Sequence, residues 1–315
     1  MQISRNGFAL VIVIWILALL SLMAGSFALT MRRESSVTLA LKNNASAMAL
    51  TESGVAMAQF MLQPSDPERR WLTDGTVYQI LRSDGTEVRI KIASEAGKID
   101  INTADQTQLK AVIKAITGDI WQQQQLLDSI LDWRDEDDDT RPHGAEKKQY
   151  KDAGLTYIPS NRPFQSLDEL RLVLGFDDTI FTQIQPWLTI YSGQSEVDLL
   201  EATPEVLQII NNDLNDRHVD TSQQQTLLAH SKQSDQKNAG AANNENQTYT
   251  ITVEVQMDDG ASAALEAVVK LQSQDSNQPP RQVLDWKQNQ LTRSLFDDDM
   301  ESRLISVQDE FTNYI

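Results

Sequence analysis

The 315-residue chain contains no cysteine. Disulfides, thiol nucleophiles and Cys-ligated metals are therefore excluded, and an oxidising compartment is allowed without being implied. Histidine is scarce and scattered, at His143, His218 and His230, so a His-rich metal site is not expected. No G-x-S-x-G or HExxH pattern occurs, and paired carboxylates occur only in one acidic loop, so catalysis is not expected. Positive charge is short as well: 27 Lys and Arg face 45 Asp and Glu, a net charge of −18. That balance argues against nucleic acid and against a polybasic membrane contact, since both need clustered cations.

Charge of either sign is missing from Phe8 to Met31, with Arg5 before the gap and Arg32 and Arg33 after it. As a helix rising about 1.5 Å per residue, this run crosses a bilayer core of about 30 Å. It exceeds the apolar region of about 7–15 residues typical of a cleaved secretory signal. Small residues at Ala24, Gly25, Ser26 and Ala28 keep conventional cleavage as the rival reading. No proline interrupts the chain before Pro64, and Ala, Leu and Met dominate as far as Leu62. One helix from Phe8 to Leu62 is predicted, apolar all round in its first half and amphipathic in its second.

Strand signals follow. "TVYQILRSDGTEVRIKIAS" places β-branched and aromatic residues on both sides of Ser83-Asp84-Gly85, a hairpin pattern. Strands are predicted again over 249–256, 263–271 and 281–286, with Met257-Asp258-Asp259-Gly260 as a turn. Between these groups residues 96–213 read as helices, and 214–247 as a polar, Gln/Asn/Ser-rich linker. The predicted class is α+β, with a long N-terminal helix on a small antiparallel sheet and a large all-α domain inserted between strands. The predicted division is 1–7 leader, 8–63 helix (8–31 transmembrane) and 64–95 first part of the α+β domain. It continues with 96–213 helical insert, 214–247 linker, 248–290 final strands and 291–315 acidic tail with weak helix signals.

Within the insert, "KIDINTADQTQLKAVI" from Lys98 and "EVDLLEATPEVLQII" from Glu196 look alike. Thr103 with Gln106 forms a capping-box pattern, Thr203 precedes Pro204, and Ser166 with Glu169 marks a third helix start. The most unusual chemistry is "LDWRDEDDDTRPHGAEKKQY". Asp135, Glu136, Asp137, Asp138 and Asp139 are consecutive, and Glu146 lies seven residues beyond. Such a cluster repels itself unless it is solvated or neutralised. Ca²⁺ takes six to eight hard oxygen ligands, which a loop of alternate acids supplies, although EF-hand spacing fails. The other reading is a solvated loop paired with Arg134, Arg141 and Lys147. The residues alone leave both open.

Two families share these features. The layout resembles the type IV pilin and pseudopilin family, in which prepilin peptidase cuts a short basic leader after Gly and the new N-terminal residue is methylated. Here those positions are Gly7 and Phe8. Most members carry Glu at the fifth mature position; this chain has Ile12, the mark of the K-type minor pseudopilin of the type II secretion system. "DWRD-x-D…RP-x-GAE…Y", "NRPF-x-S-x-DELR" and the strand ending "VLDW" are similar to that family too. The resemblance implies a non-enzymatic protein at the pseudopilus tip that initiates assembly and export across the outer membrane. It also implies single-pass anchoring in the bacterial inner membrane, with the bulk of the chain in the periplasm. The implied partners are I- and J-type minor pseudopilins, the major pseudopilin, the inner-membrane secretion platform and prepilin peptidase, with no nucleic acid. The implied cofactor is calcium, held by Asp135, Asp137 and Glu146 first, and by Asp132, Asp138 and Asp139 second. The order "INTADQTQL…LLDSILDWRD…PFQSLDELRLVLGF" is also similar to the helix-hairpin-helix domains of DNA-uptake receptors. That gives a rival function, membrane-anchored DNA binding. Its phosphate-binding hairpin should be Gly-rich with Lys or Arg nearby; "KAITGDIWQQQ" offers only Gly118, followed by Asp119.

Overall fold

A computed structural model describes residues 6–63, 69–216, 247–272 and 281–307. Most of the expected leader, most of the expected linker with His218 and His230, and the end of the tail lie outside these residues. Helix α1 (Asn6–Met61) runs unbroken for 56 residues, about 84 Å at helical rise. From Leu10 to Lys42 every side chain is exposed, apolar ones included. Beyond that, Ala47, Thr51, Gly54, Val55 and Ala58 form a buried stripe at helical spacing. Gly54 lets the helix lie close to the sheet, because a Cβ there would stand 2.7 Å from Val253 Cγ1.

The stripe packs on a six-stranded sheet. Its strands are β1 (Asp74–Leu81), β2 (Glu87–Ser94), β5 (Thr248–Gln256), β6 (Ser262–Leu271), β7 (Arg281–Gln288) and β8 (Leu304–Ser306). The order across the sheet is β7-β6-β5-β2-β1-β8. Both predicted Asp-Gly turns form, with Gly85 at φ 81° and Gly260 at φ 85°, the left-handed region glycine enters without strain. Alternation puts Ile90, Ile92, Ile251, Val253, Leu265 and Ala267 on the face under α1. Arg89, Lys91, Thr252, Glu254 and Glu266 fall on the other face.

The sheet is larger than predicted and not wholly antiparallel. The tail, expected to carry helix signals, crosses the polar face as a strap and ends in β8, which pairs in parallel with β1. Among the described residues of the tail, a two-turn 3-10 segment, Asp298–Arg303, answers the helix signal. The polar face anchors the strap. Buried Arg89 donates to the Leu295 carbonyl at 3.0 Å and to Glu301 at 2.8 Å, and lies over the Phe296 ring. Glu254 accepts from the Leu295 N–H at 2.6 Å.

Between β2 and β5 the chain builds a second core. It contains α2 (Gln106–Ile116), α3 (Ile120–Arg134), α4 (Lys147–Asp152), α5 (Asp178–Ile184) and α6 (Pro204–Asp216), so α6 extends three residues beyond the predicted helical block. The insert is not purely helical. β3 (Ile99–Asp100) pairs in parallel with β4 (Leu188–Thr189). The expected helix start at Ser166 is a 3-10 segment, Leu167–Leu172.

The sequence repeat is a structural repeat, with its cap in a different place. Asp105, not Thr103, caps α2, accepting from the Gln108 N–H at 2.8 Å, while the Gln108 side chain accepts from the Asp105 N–H. Thr103 donates instead to the Gln194 carbonyl. The shift follows from Asp100, whose Oδ1 accepts from the Asn102 N–H at 2.9 Å and so starts a turn that runs on before the helix. In the second copy Asp198 does the same with the Leu200 N–H at 3.0 Å. Ala104 and Ala202 are buried at matching positions.

The two copies meet at the root of the insert. The Asp198 N–H donates to the Ala96 carbonyl at 2.9 Å, and a Cβ on Gly97 would stand 2.1 Å from the Glu201 carbonyl oxygen. Backbone cannot yield as a side-chain tip does. Gly97→Ala should therefore lower stability by about 1–3 kcal/mol, as overpacking of a tight contact does, visible as a lower thermal midpoint. An unchanged midpoint would mean that the two segments part freely.

Candidate functional site

Helix α3 delivers the acidic loop. Its C-terminal turn, Leu131 to Arg134, buries Trp133 against Tyr150 and Phe164, which fixes where the helix ends. Arg134 donates to the Ala104 carbonyl at 2.9 Å and to the Ile101 carbonyl, tying that end to the first repeat. The carboxylates of Asp128 and Asp132, on the same helix, are buried.

Asp132 is completely enclosed, at 0 % exposure. It accepts from Arg141 Nη1 at 2.6 Å and from the Arg141 N–H at 3.2 Å. Burial raises its pKa and the Arg141 hydrogen bonds oppose that shift. Arg141 also pairs with Asp135, the residue ending α3. Asp128 accepts from the His143 N–H at 3.1 Å. Gly144 must be glycine, because a Cβ there would fall 2.0 Å from Asp132 Oδ2. The loop thus folds back over two buried acids with one guanidinium between Asp132 and Asp135.

Glu146 has no such partner. It stands at the N-cap of α4 and is 3 % exposed, and neither carboxylate oxygen makes a hydrogen bond of good geometry, the nearby Lys147 N–H offsetting only a small part of the burial. Burial first, then the charges of Asp132, Asp135 and Asp138, push its carboxyl up to about 7. Two other buried oxygens here are also unpartnered: Asp135 Oδ1 and Asn161 Oδ1. Asn161, at φ 46°, reaches in from the Pro163 side, and its amide donates to the Asp137 carbonyl at 2.8 Å and to Asp138 at 3.1 Å. Asp137, Asp138 and Asp139 are exposed, and the Asp137 carboxylate accepts from the Asp139 N–H at 2.9 Å.

Of the six predicted ligands, Asp132, Asp135 and Glu146 stand at the buried root of the loop and Asp137, Asp138 and Asp139 at its rim. Four orphaned oxygens, all carboxylate or amide, are the donor chemistry Ca²⁺ takes. They are not gathered into a finished cage: among the described residues no three His, Cys, Asp or Glu stand close enough to hold an ion. Sequence reasoning missed Asn161 and Asp128. The first lies inside the quoted "NRPF" block; the second lies one turn before Asp132 and carries no local signal.

The other predicted positions lie at the start of α1. Gly7 and Phe8 are in its first turns, and Ile12 is exposed on the helix. The helix is long and apolar enough to cross a membrane, and none of its most apolar window is buried.

Residues 89–193, from β2 to just past β4, match the family described as type II secretion system (T2SS), protein K. Over that part the chain is similar to the type II secretion K proteins. Type II secretion system protein K of Klebsiella pneumoniae is 22% identical over 216 residues, covering 62% of this chain and 65% of that relative. The match thus spans less than two thirds of the Klebsiella protein. The K protein of Aeromonas hydrophila is 30% identical over 80 residues, 25% of this chain and 24% of its own. Among solved structures, the GspK-GspI-GspJ complex of the enterotoxigenic Escherichia coli type 2 secretion system contains a chain with this fold. Its TM-score is 0.52 at 15% identity, over 83% of this chain and 99% of that one. That likeness supports the α+β architecture of long helix, sheet and helical insert.

Proposed function

We propose that this chain is a K-type minor pseudopilin at the tip of a type II secretion pseudopilus, where it initiates assembly and export across the outer membrane. The observation that carries the reading is α1. Its first half exposes apolar side chains on every side and its second half is riveted to the sheet, so one rigid rod joins a bilayer to a folded head. The head lies in the periplasm and the helix anchors it in the inner membrane. Prepilin peptidase cuts after Gly7, and Phe8 is then N-methylated. I- and J-type minor pseudopilins, the major pseudopilin and the secretion platform are its partners. Calcium binds the acidic loop through Glu146, Asp135, Asp132, Asp137, Asp138 and Asp139, with Asn161 added. When bound, the ion supplies the positive charge that the orphaned oxygens lack; the chain's own part is to hold those oxygens on the end of α3 and the start of α4.

Intact mass of the chain purified from its membrane should correspond to a start at Phe8 plus one methyl group. A start near Phe27 to Leu29 would sink the pseudopilin reading. Deletion of the chain should block secretion, and Ile12→Glu should fail to restore it fully. A tip subunit has no neighbour ahead to pair that acid, which is costly in an apolar fibre core. Ile12→Glu restoring secretion completely would count against the tip position.

A further inference from the structure

A cavity of about 580 Å³ lies between the polar face of the sheet, the insert and the C-terminal strap, away from the acidic loop. That volume is within the range of small-molecule sites. Its charged lining is almost entirely paired. Lys98 holds Glu95 at 2.6 Å, Lys287 lies 3.4 Å from Asp285, Arg303 pairs with Glu205, and Arg293 pairs with Asp299. Lys91 and Glu266 are the exceptions, since neither has an ion pair or hydrogen bond among the described residues. They flank Thr252 on adjacent strands, with Lys91 opposite Thr252 and Thr252 opposite Glu266. The Thr252 hydroxyl lines the same cavity, is only 2 % exposed, and has no partner.

A buried hydroxyl and a partly buried ammonium, side by side and both unsatisfied, are costly unless something accepts from them. We propose that this cavity binds a small molecule through one carboxylate, held between the Lys91 ammonium and the Thr252 hydroxyl. A single negative charge fits better than a phosphate dianion, because Glu95, Glu205, Glu266 and Asp285 also line the space. Glu266 faces Lys287 on β7 as well as lying near Lys91, so its one charge is shared between two lysines, and neither Glu266 nor Glu205 makes an ion pair with Lys91. Burial pushes the Lys91 ammonium down against the pull of Glu266 and Glu205, and a bound carboxylate would reverse that. Trp187, Tyr191 and Leu167 provide walls for the rest of the ligand. A free organic acid and the C-terminus of a short peptide share this chemistry.

The test is trace reductive methylation of the full chain in detergent, with each lysine read by mass spectrometry. The probes are acetate, N-acetyl-trialanine, the C-terminal amide of that peptide, and sulfate. At ten times its dissociation constant, a binding carboxylate should slow methylation of Lys91 about tenfold and leave exposed Lys42 unchanged. Protection by acetate and peptide alike points to a free acid as the source, and protection by the peptide alone to a chain terminus. Thr252→Val removes a hydroxyl that has no partner, so the fold should keep its melting temperature while carboxylate affinity drops about tenfold. Lys91→Met should abolish binding in calorimetry. The proposal is overturned if no carboxylate protects Lys91, if the amide or sulfate protects it equally, or if Thr252→Val binds as tightly as the parent.

Discussion

Calcium added to the full chain in detergent is expected to raise its melting temperature, and EGTA to reverse the gain. A ligand that binds only the folded state stabilises by mass action, about 2.7 kcal/mol at a hundred times its dissociation constant and about 4 kcal/mol at a thousand times. The gain should be large here because the site costs the fold something when empty of positive charge. Glu146 is buried with both oxygens unpartnered, facing the fields of three other carboxylates. Mg²⁺ should be a poorer substitute, since it demands tight octahedral geometry and keeps its waters. Glu146→Gln separates a metal site from an ordinary buried acid by sign. Without calcium the variant should melt at or above the parent, because a repelled charge is gone. With calcium it should lose the gain. A variant less stable than the parent in EGTA, yet equally stabilised by calcium, would remove Glu146 from the ligand set.

How much of this was readable beforehand depends on the range of each interaction. The long helix, both Asp-Gly hairpins and the return of strands after 248 are written in local patterns, and the chain obeys them. The repeat was legible as a likeness, but its cap was placed two residues early. Thr103 and Asp105 are both good capping residues, and only the turn begun by buried Asp100 decides between them. The tail misled because "LIS" is too short to show a period, and its pairing with β1 is bought by Arg89 and Glu254, contributed by β2 and β5. In the acidic loop the composition was conspicuous, while the division of labour was not. Nothing local tells that Asp132 is sealed and Asp139 is free, or that Asn161, fifteen residues beyond Glu146, turns its amide on Asp137 and Asp138. Arg141 was foreseen as one of several surface partners. It is the cation that lets Asp132 exist in the core.

Arg141→Met is therefore expected to have the largest effect of any single change in the loop. Asp132 is fully enclosed, and Arg141 supplies both its 2.6 Å ion pair and its backbone donor; the methionine keeps the backbone N–H and loses the charge. Removing one partner of a buried pair costs about 3–5 kcal/mol, because the other charge is left uncompensated, and the lower end applies here since the Arg141 side chain is 31 % exposed. The measurement is the thermal or denaturant midpoint in EGTA. Two controls separate this account from simple loss of packing. Asp132→Asn combined with Arg141→Met should recover much of the loss, since the side chain that Arg141 neutralised then carries no charge. Calcium should also rescue Arg141→Met more than it stabilises the parent, since a divalent ion near Asp132 and Asp135 takes over the neutralising role of the guanidinium. If the double variant is no better than Arg141→Met alone, the guanidinium stem matters for its contacts and not for its charge. If calcium gives the variant no more than it gives the parent, the ion does not sit where Arg141 acts.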